Sequence, residues 1–204
     1  MTVENRLLTA ESRIPRSAPD AERRAQRERL IAWRQALSSD ARHRVDQALT
    51  RTLRLELSRR PLGVLAVYWP IRGEFDPIGA CDAWARAGGR FALPRTRGTG
   101  TALEFGRWTP GQPMQPGPWG AALPDPFEPV TPTLLLVPCV GYSEGGLRLG
   151  YGGGFYDRTL ASLRVPTIGL AYDACEVTDL APEPHDVPMD CIITEQRILR
   201  PGGR

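Results

Sequence analysis

Apolar positions along this chain change their spacing near residue 62. Before it they recur at helical intervals. Leu30, Ile31, Trp33 and Leu37 mark one side of a helix that Asp20 can cap, because a short polar side chain accepts the unpaired first amides. Val45, Leu49, Leu53 and Leu57 recur every fourth residue and mark a second helix, opened by Ser38 or Ser39 and stopped at Arg59-Arg60-Pro61. After it, apolar residues come in compact runs of strand length: LGVLAVYW from Leu62, FALP from Phe91, ALEFGRW from Ala102, LLLV from Leu134, VPTIGLAY from Val165 and CIITE from Cys191. Pro77 starts a short helix with Ile78, Cys81 and Trp84, closed by Gly88-Gly89. Residues 109–132 hold eight prolines and no period, which predicts an irregular connection. Residues 1–19 are polar, carry Pro15 and Pro19, and read as a loosely structured N-terminal extension. Residues 20–204 are then a single domain.

Strands alternating with helices predict an α/β fold with a mainly parallel sheet, its two leading helices covering one face. Ligands in such sheets sit at the carboxyl ends of strands. That rule puts the loops 70–76, 139–154 and 172–190 on one rim.

The densest chemistry lies between Leu134 and Arg158. A buried strand is followed by seven glycines between Gly141 and Gly154, then by FYDRTLASL with helical spacing and an early acid. Strand, glycine loop and helix start bring main-chain amides close to an anion. Arg148 and Arg158 flank the loop and can add contacts to phosphate or carboxylate. A Walker A loop is excluded because it needs a lysine, and all 26 basic residues here are arginine. The dinucleotide fingerprint also fails, since Gly150-x-Gly152 leads to Phe155 and Gly152-x-Gly154 leads to Asp157. A plain glycine-rich hairpin remains the competing reading.

Absence of lysine also removes Schiff-base chemistry and the usual use of pyridoxal phosphate. Four dispersed cysteines and two histidines form no zinc-ligand spacing, and reduced thiols in a cytoplasm fit best. No apolar run approaches the ~18 residues that span a bilayer, and the first twenty residues lack the apolar region of a signal peptide. Charge is uneven: residues 1–60 carry 14 arginines against 8 acids, the remainder 12 against 15. The basic start is a solvated helical face, a nucleic-acid patch, or a set of arginines folded onto a phosphate ligand. Arg23, Arg27 and Arg34 stand four and seven apart, near one helix face.

Further candidates lie in the other rim loops. Glu74 in YWPIRGEFD can accept hydrogen bonds from a heterocycle, or be a solvated turn residue. Trp69 can stack on a planar ligand or fill the core. Asp157 and Asp186 have the chemistry of a Mg²⁺ site beside nucleotide phosphates, though an aspartate in a first helical turn also simply suits the dipole. His185 is a general base or a structural residue of the loop.

Taken together, these residues resemble the 5-formyltetrahydrofolate cyclo-ligase family, also called methenyltetrahydrofolate synthetase. The likeness runs from about Arg23 to Glu195 and centres on RLGYGGGFYDR, supported by RQALS, YWPIRGEFDP, FALPR and HDVPMDCIITE. It implies a Rossmann-like three-layer α/β domain. The chain is expected to act as a monomer in the cytoplasm, without nucleic acid or membrane. It also implies ATP- and Mg²⁺-dependent cyclisation of 5-formyltetrahydrofolate to 5,10-methenyltetrahydrofolate. By this resemblance Arg23, Arg27, Arg148, Leu149, Gly150, Tyr151, Gly152, Gly153, Gly154, Phe155 and Tyr156 bind ATP, with Arg148 and Tyr156 at the catalytic step. Trp69, Glu74 and Tyr151 meet the folate, and Asp157 and Asp186 hold Mg²⁺. Three residues depart from the family pattern: Arg23 for lysine, Phe155 for tyrosine and Ser143 for aspartate. A non-catalytic folate- or nucleotide-binding relative and a nucleic-acid module built on the first 60 residues are the competing classes.

Overall fold

The computed structural model describes residues 18–202. The expected extension over residues 1–19 lies outside them apart from Ala18 and Pro19, which open the first helix. Helices α1 (Ala18–Gln35) and α2 (Ser39–Leu57) lead the chain. Ser38 caps α2 by accepting the Ala41 amide at 3.3 Å. Asp20 sits within the first turn of α1 instead of capping it, where its charge still complements the helix dipole.

The strands are β1 (Val64–Ala66), β2 (Arg90–Arg95), β3 (Glu104–Trp108), β4 (Met114–Pro116), β5 (Ala122–Pro124), β6 (Leu134–Pro138), β7 (Gly141–Tyr142), β8 (Arg148–Leu149), β9 (Thr167–Leu170), β10 (Cys191–Ile193) and β11 (Ile198–Leu199). Seven form one sheet in the order β11-β10-β9-β6-β1-β2-β3. From β10 to β2 the pairs are parallel, and the two edge strands are antiparallel. Register places Leu65 beside Phe91 and Leu134, and Ile168 beside Leu136 and Cys191.

Alternation along the strands explains the three layers. Leu65, Leu134, Leu136, Ile168, Cys191 and Ile193 face Leu49, Leu53 and Leu57 of α2. Val64, Ala66, Leu135, Val137 and Ile192 face the other way, where Leu160 of helix α4 (Phe155–Ser162) covers them. The Pro77 segment becomes a 3₁₀ turn at Gly79–Cys81 and the five-residue helix α3 (Asp82–Arg86). All four cysteines are buried and unbridged. Among the described residues no helix is long and apolar enough to cross a membrane.

The proline-rich connection is more regular than expected. β4 and β5 pair antiparallel within it, Met114 opposite Pro124 and Pro116 opposite Ala122. A two-stranded ribbon leaves the outer edge of both strands unpaired, so prolines that cannot donate do it little harm. Its tip carries Trp119 in a left-handed conformation with φ 57°. β7 and β8 form a second small hairpin inside the glycine-rich stretch, so the hairpin reading holds for its first half. The second half, 150–154, is the loop.

Candidate active site

Parallel strands β1, β6 and β9 all end at one rim, and their following loops are tied together there. Tyr151, in the loop after β8, donates to Glu74 Oε1 at 2.8 Å. Arg148 donates to the Val187 carbonyl at 2.9 Å and to Asp157 Oδ1. The three loops that the strand-end rule gathers are therefore adjacent.

The glycine loop owes its shape to backbone that other residues would strain. Gly152 has φ 86° and a Cβ there would stand 3.3 Å from the Arg27 guanidinium. Gly154, φ 63°, is the left-handed residue from which α4 starts. Arg27 Nε donates to the Gly150 carbonyl at 2.6 Å, so α1 lies directly against the loop. Arg158 turns inward to the carbonyls of Gly153 and Thr101 and stacks over Phe155 at 5.5 Å. It braces the loop. Leu149 is buried, and its carbonyl accepts the Val140 amide at 2.9 Å, which makes it a strut beneath the loop.

The arginines of α1 do not act as one clamp. Arg23 donates to Asp186 Oδ2 at 2.7 Å and to the Ala181 carbonyl at 2.6 Å. Arg34 lies at the other end, with only 2% of its side chain exposed. It donates to the Arg72 carbonyl at 2.9 Å and to the Tyr151 hydroxyl. Its guanidinium is also 3.8 Å from Glu74, which accepts the Ile71 amide at 2.9 Å as well. Glu74 is thus no solvated turn residue. Burial raises its carboxyl above the ordinary value, outweighing the Ile71 amide, Tyr151 and Arg34. Burial likewise raises the Tyr151 and Tyr156 phenols, which stay protonated near neutrality. Trp69 is half-buried against the α2-side core.

On the opposite side, ligand atoms of Asp157, His185 and Asp186 lie within 4.8 Å of one another. Burial works to raise the Asp186 carboxyl, but the Arg23 and Glu183 hydrogen bonds together hold it below the ordinary value. Arg148 is buried and lies 6.0 Å over the Tyr156 ring. One rim therefore offers main-chain curvature, guanidinium groups, two carboxylates fit for a hard cation, and a buried acid across the loop.

A family model described as the 5-formyltetrahydrofolate cyclo-ligase family matches residues 19–195. The chain belongs to that family. A Mycolicibacterium smegmatis 5-formyltetrahydrofolate cyclo-ligase is 28% identical, over 95% of this chain and 94% of its own. A Haemophilus influenzae 5-formyltetrahydrofolate cyclo-ligase is 30% identical, over 75% and 87%. The solved Aquifex aeolicus 5,10-methenyltetrahydrofolate synthetase superposes with a TM-score of 0.74 at 26% identity, covering 89% of this chain and 94% of that one. The three-layer α/β fold expected for the family is the fold observed.

Two groups escaped the sequence reading of this cyclo-ligase fold. Arg72 is exposed, has φ 48°, and lies 5.6 Å over the Tyr151 ring that Arg34 also overlies; nothing in its local sequence separates it from any loop arginine. Trp119, 62% exposed, meets Phe155 with ring centroids 5.6 Å apart. A tryptophan set between Pro118 and Gly120 was the available signal.

Proposed function

We propose that this protein catalyses the ATP-dependent cyclisation of 5-formyltetrahydrofolate to 5,10-methenyltetrahydrofolate, releasing ADP and phosphate. One observation carries the reading beyond family membership: a single rim joins the 148–157 loop, the α1 arginines and two carboxylates to the buried Glu74. The formyl oxygen of an amide-like group is a poor leaving group. In the proposed path it takes the γ-phosphoryl, ADP departs, the neighbouring folate nitrogen closes on the activated carbon, and phosphate leaves. Such transfers depend mainly on positioning and charge stabilisation.

The chain's residues divide that work. Amides of the 150–154 loop and the start of α4 face the phosphates, with Arg27 at the loop's back and Arg23 beside it. Arg148, released from Asp157, stabilises charge on the migrating group. Tyr156, whose ring the Arg148 guanidinium overlies, holds that arginine in place. Asp157 and Asp186 would hold Mg²⁺, which supplies charge neutralisation at the phosphates. Glu74 receives donors of the folate heterocycle, with Tyr151 orienting it and Trp69 flanking it. Because Asp157 and Asp186 are each paired with an arginine, Mg²⁺ and ATP satisfy both partners best when they arrive together.

The test is direct. Purified protein mixed with 5-formyltetrahydrofolate and Mg-ATP should show rising methenyl absorbance that needs ATP. A flat trace with intact folded protein would instead favour a binding-only relative.

A further inference from the structure

We propose that His185 is a third donor at the Asp157–Asp186 cation site, and that it biases the site from Mg²⁺ towards Mn²⁺. This rests on the reading of those aspartates given above. Before cation and nucleotide arrive, Oδ1 of Asp157 is bonded to Arg148 and Oδ2 of Asp186 to Arg23. Even with both arginines released, two carboxylates fill few of the positions around an octahedral ion. A ring nitrogen of His185 lies with the aspartate ligand atoms inside the same 4.8 Å span.

His185 also has the setting of an oriented ligand. Its Nε2 stands 3.1 Å from the Glu183 carboxylate, the kind of second partner that fixes a ligating imidazole. The turn that carries it is pinned from several sides. The Asp186 amide donates to the Glu183 carbonyl at 2.9 Å, and the Glu183 amide donates to Asp186 Oδ2 at 2.9 Å. Beyond it, the Val187 carbonyl accepts Arg148 and the Met189 amide donates to the Gly146 carbonyl at 2.9 Å. Position is thus imposed by the turn, although 63% of the imidazole is exposed. Exposure suits an ion that keeps several waters.

The donor set decides the preference. Mg²⁺ demands hard oxygen ligands in near-octahedral geometry, so an imidazole adds little to its binding. Carboxylate and water suit both ions, but Mn²⁺, a first-row transition ion, takes an imidazole nitrogen beside them more readily than Mg²⁺ does. A mixed oxygen–nitrogen set therefore favours Mn²⁺ more than an oxygen-only set would.

The experiment uses the full chain with a non-hydrolysable ATP analogue. Mn²⁺ binding is followed by electron paramagnetic resonance, Mg²⁺ by competition, and coordinated nitrogen by electron spin-echo modulation. The wild type should show a directly bound imidazole nitrogen. His185→Ala should lose that signal and weaken Mn²⁺ by ~10-fold or more, the scale of lost support at metal sites, while Mg²⁺ changes far less. His185→Asn, which restores an oxygen donor, should recover affinity but not the nitrogen signal. Absence of nitrogen coupling in the wild type overturns the inference, as does an unchanged Mn²⁺-to-Mg²⁺ ratio in His185→Ala. Mg²⁺-dependent cyclisation without nitrogen coupling removes the inference and leaves the proposed reaction. Nitrogen coupling without any cyclisation does the reverse.

Discussion

Two acid–arginine sets flank the glycine loop, and they resolve the same conflict in opposite directions. At the outer set, Arg23 bonds Asp186 directly at 2.7 Å, and the carboxyl is held below its ordinary value despite burial. At the inner set, Arg34 stays 3.8 Å from Glu74, the Tyr151 hydroxyl bonds both, and burial prevails. A guanidinium offsets desolvation when it bonds the carboxylate directly; at a longer distance, in the more deeply covered site, it does not. On the proposed reading the outer set exchanges partners, arginine for cation, and the inner one is a fixed scaffold that presents a reluctant carboxylate to incoming donors.

The largest effect should come from the outer set, whose second pair is Arg148 and Asp157. Arg148→Ala removes the guanidinium assigned to the transferring phosphoryl, and turnover should fall on the order of 10³-fold or more. Its urea midpoint should fall as well, because a buried guanidinium bonded to Asp157 and the Val187 carbonyl is lost, so turnover is read under conditions where the variant is folded. If single-turnover rates in this variant match the wild type, the exchange role belongs elsewhere.

Next comes the scaffold. Arg34→Leu leaves Glu74 and the Arg72 carbonyl without their buried partner, which should cost about 3–5 kcal/mol of folding stability. For a chain of this size that is roughly 2–4 °C of Tm per kcal/mol. A variant that loses activity while keeping its Tm would show that Arg34 serves catalysis and not the frame.

How far these sets could be read from sequence differs for the same reason. Glycine density, Arg148 and Asp157 fall within a few residues of each other, so that half of the outer set is written locally, whereas Arg23 and Asp186 meet across 163 positions. The inner set joins Arg34, Glu74 and Tyr151 across three separate elements. On α1 alone, Arg34 looks like Arg23 and Arg27, and only packing shows that it is buried. The sheet behaves alike. Runs such as Leu134–Val137 announced buried parallel strands, whereas the β4–β5 ribbon hid behind its prolines and β11 was too short to show a period.

A smaller effect tests the loop between the sets. Gly152→Ala forces a side chain into φ 86° against the Arg27 guanidinium, and should cost about 1–2 kcal/mol. Gly150→Ala, with no neighbour within 4 Å of the added carbon, should be nearly neutral to stability. Equal urea midpoints for the two would show that the loop's curvature is not held by Gly152.

The smallest effect is the most diagnostic, because the two sets should respond to pH with opposite sign. Glu74 has a folded value raised above its ordinary 4.5. The folded protein then binds that proton more tightly than the unfolded chain, so stability falls as pH rises from 4.5 through the folded value. Asp186 is lowered from its ordinary 3.8. Its contribution is fully present above 3.8 and is lost as pH falls through the folded value. Urea midpoints measured across acidic to neutral pH should separate them. Glu74→Gln should remove the decline above 4.5, gaining on the wild type as pH rises. Asp186→Asn should be less stable than the wild type near neutrality and converge on it in acid. Parallel profiles for the two variants would mean that burial governs both carboxyls, and the contrast between an exchanging pair and a fixed scaffold would fail at its electrostatic root.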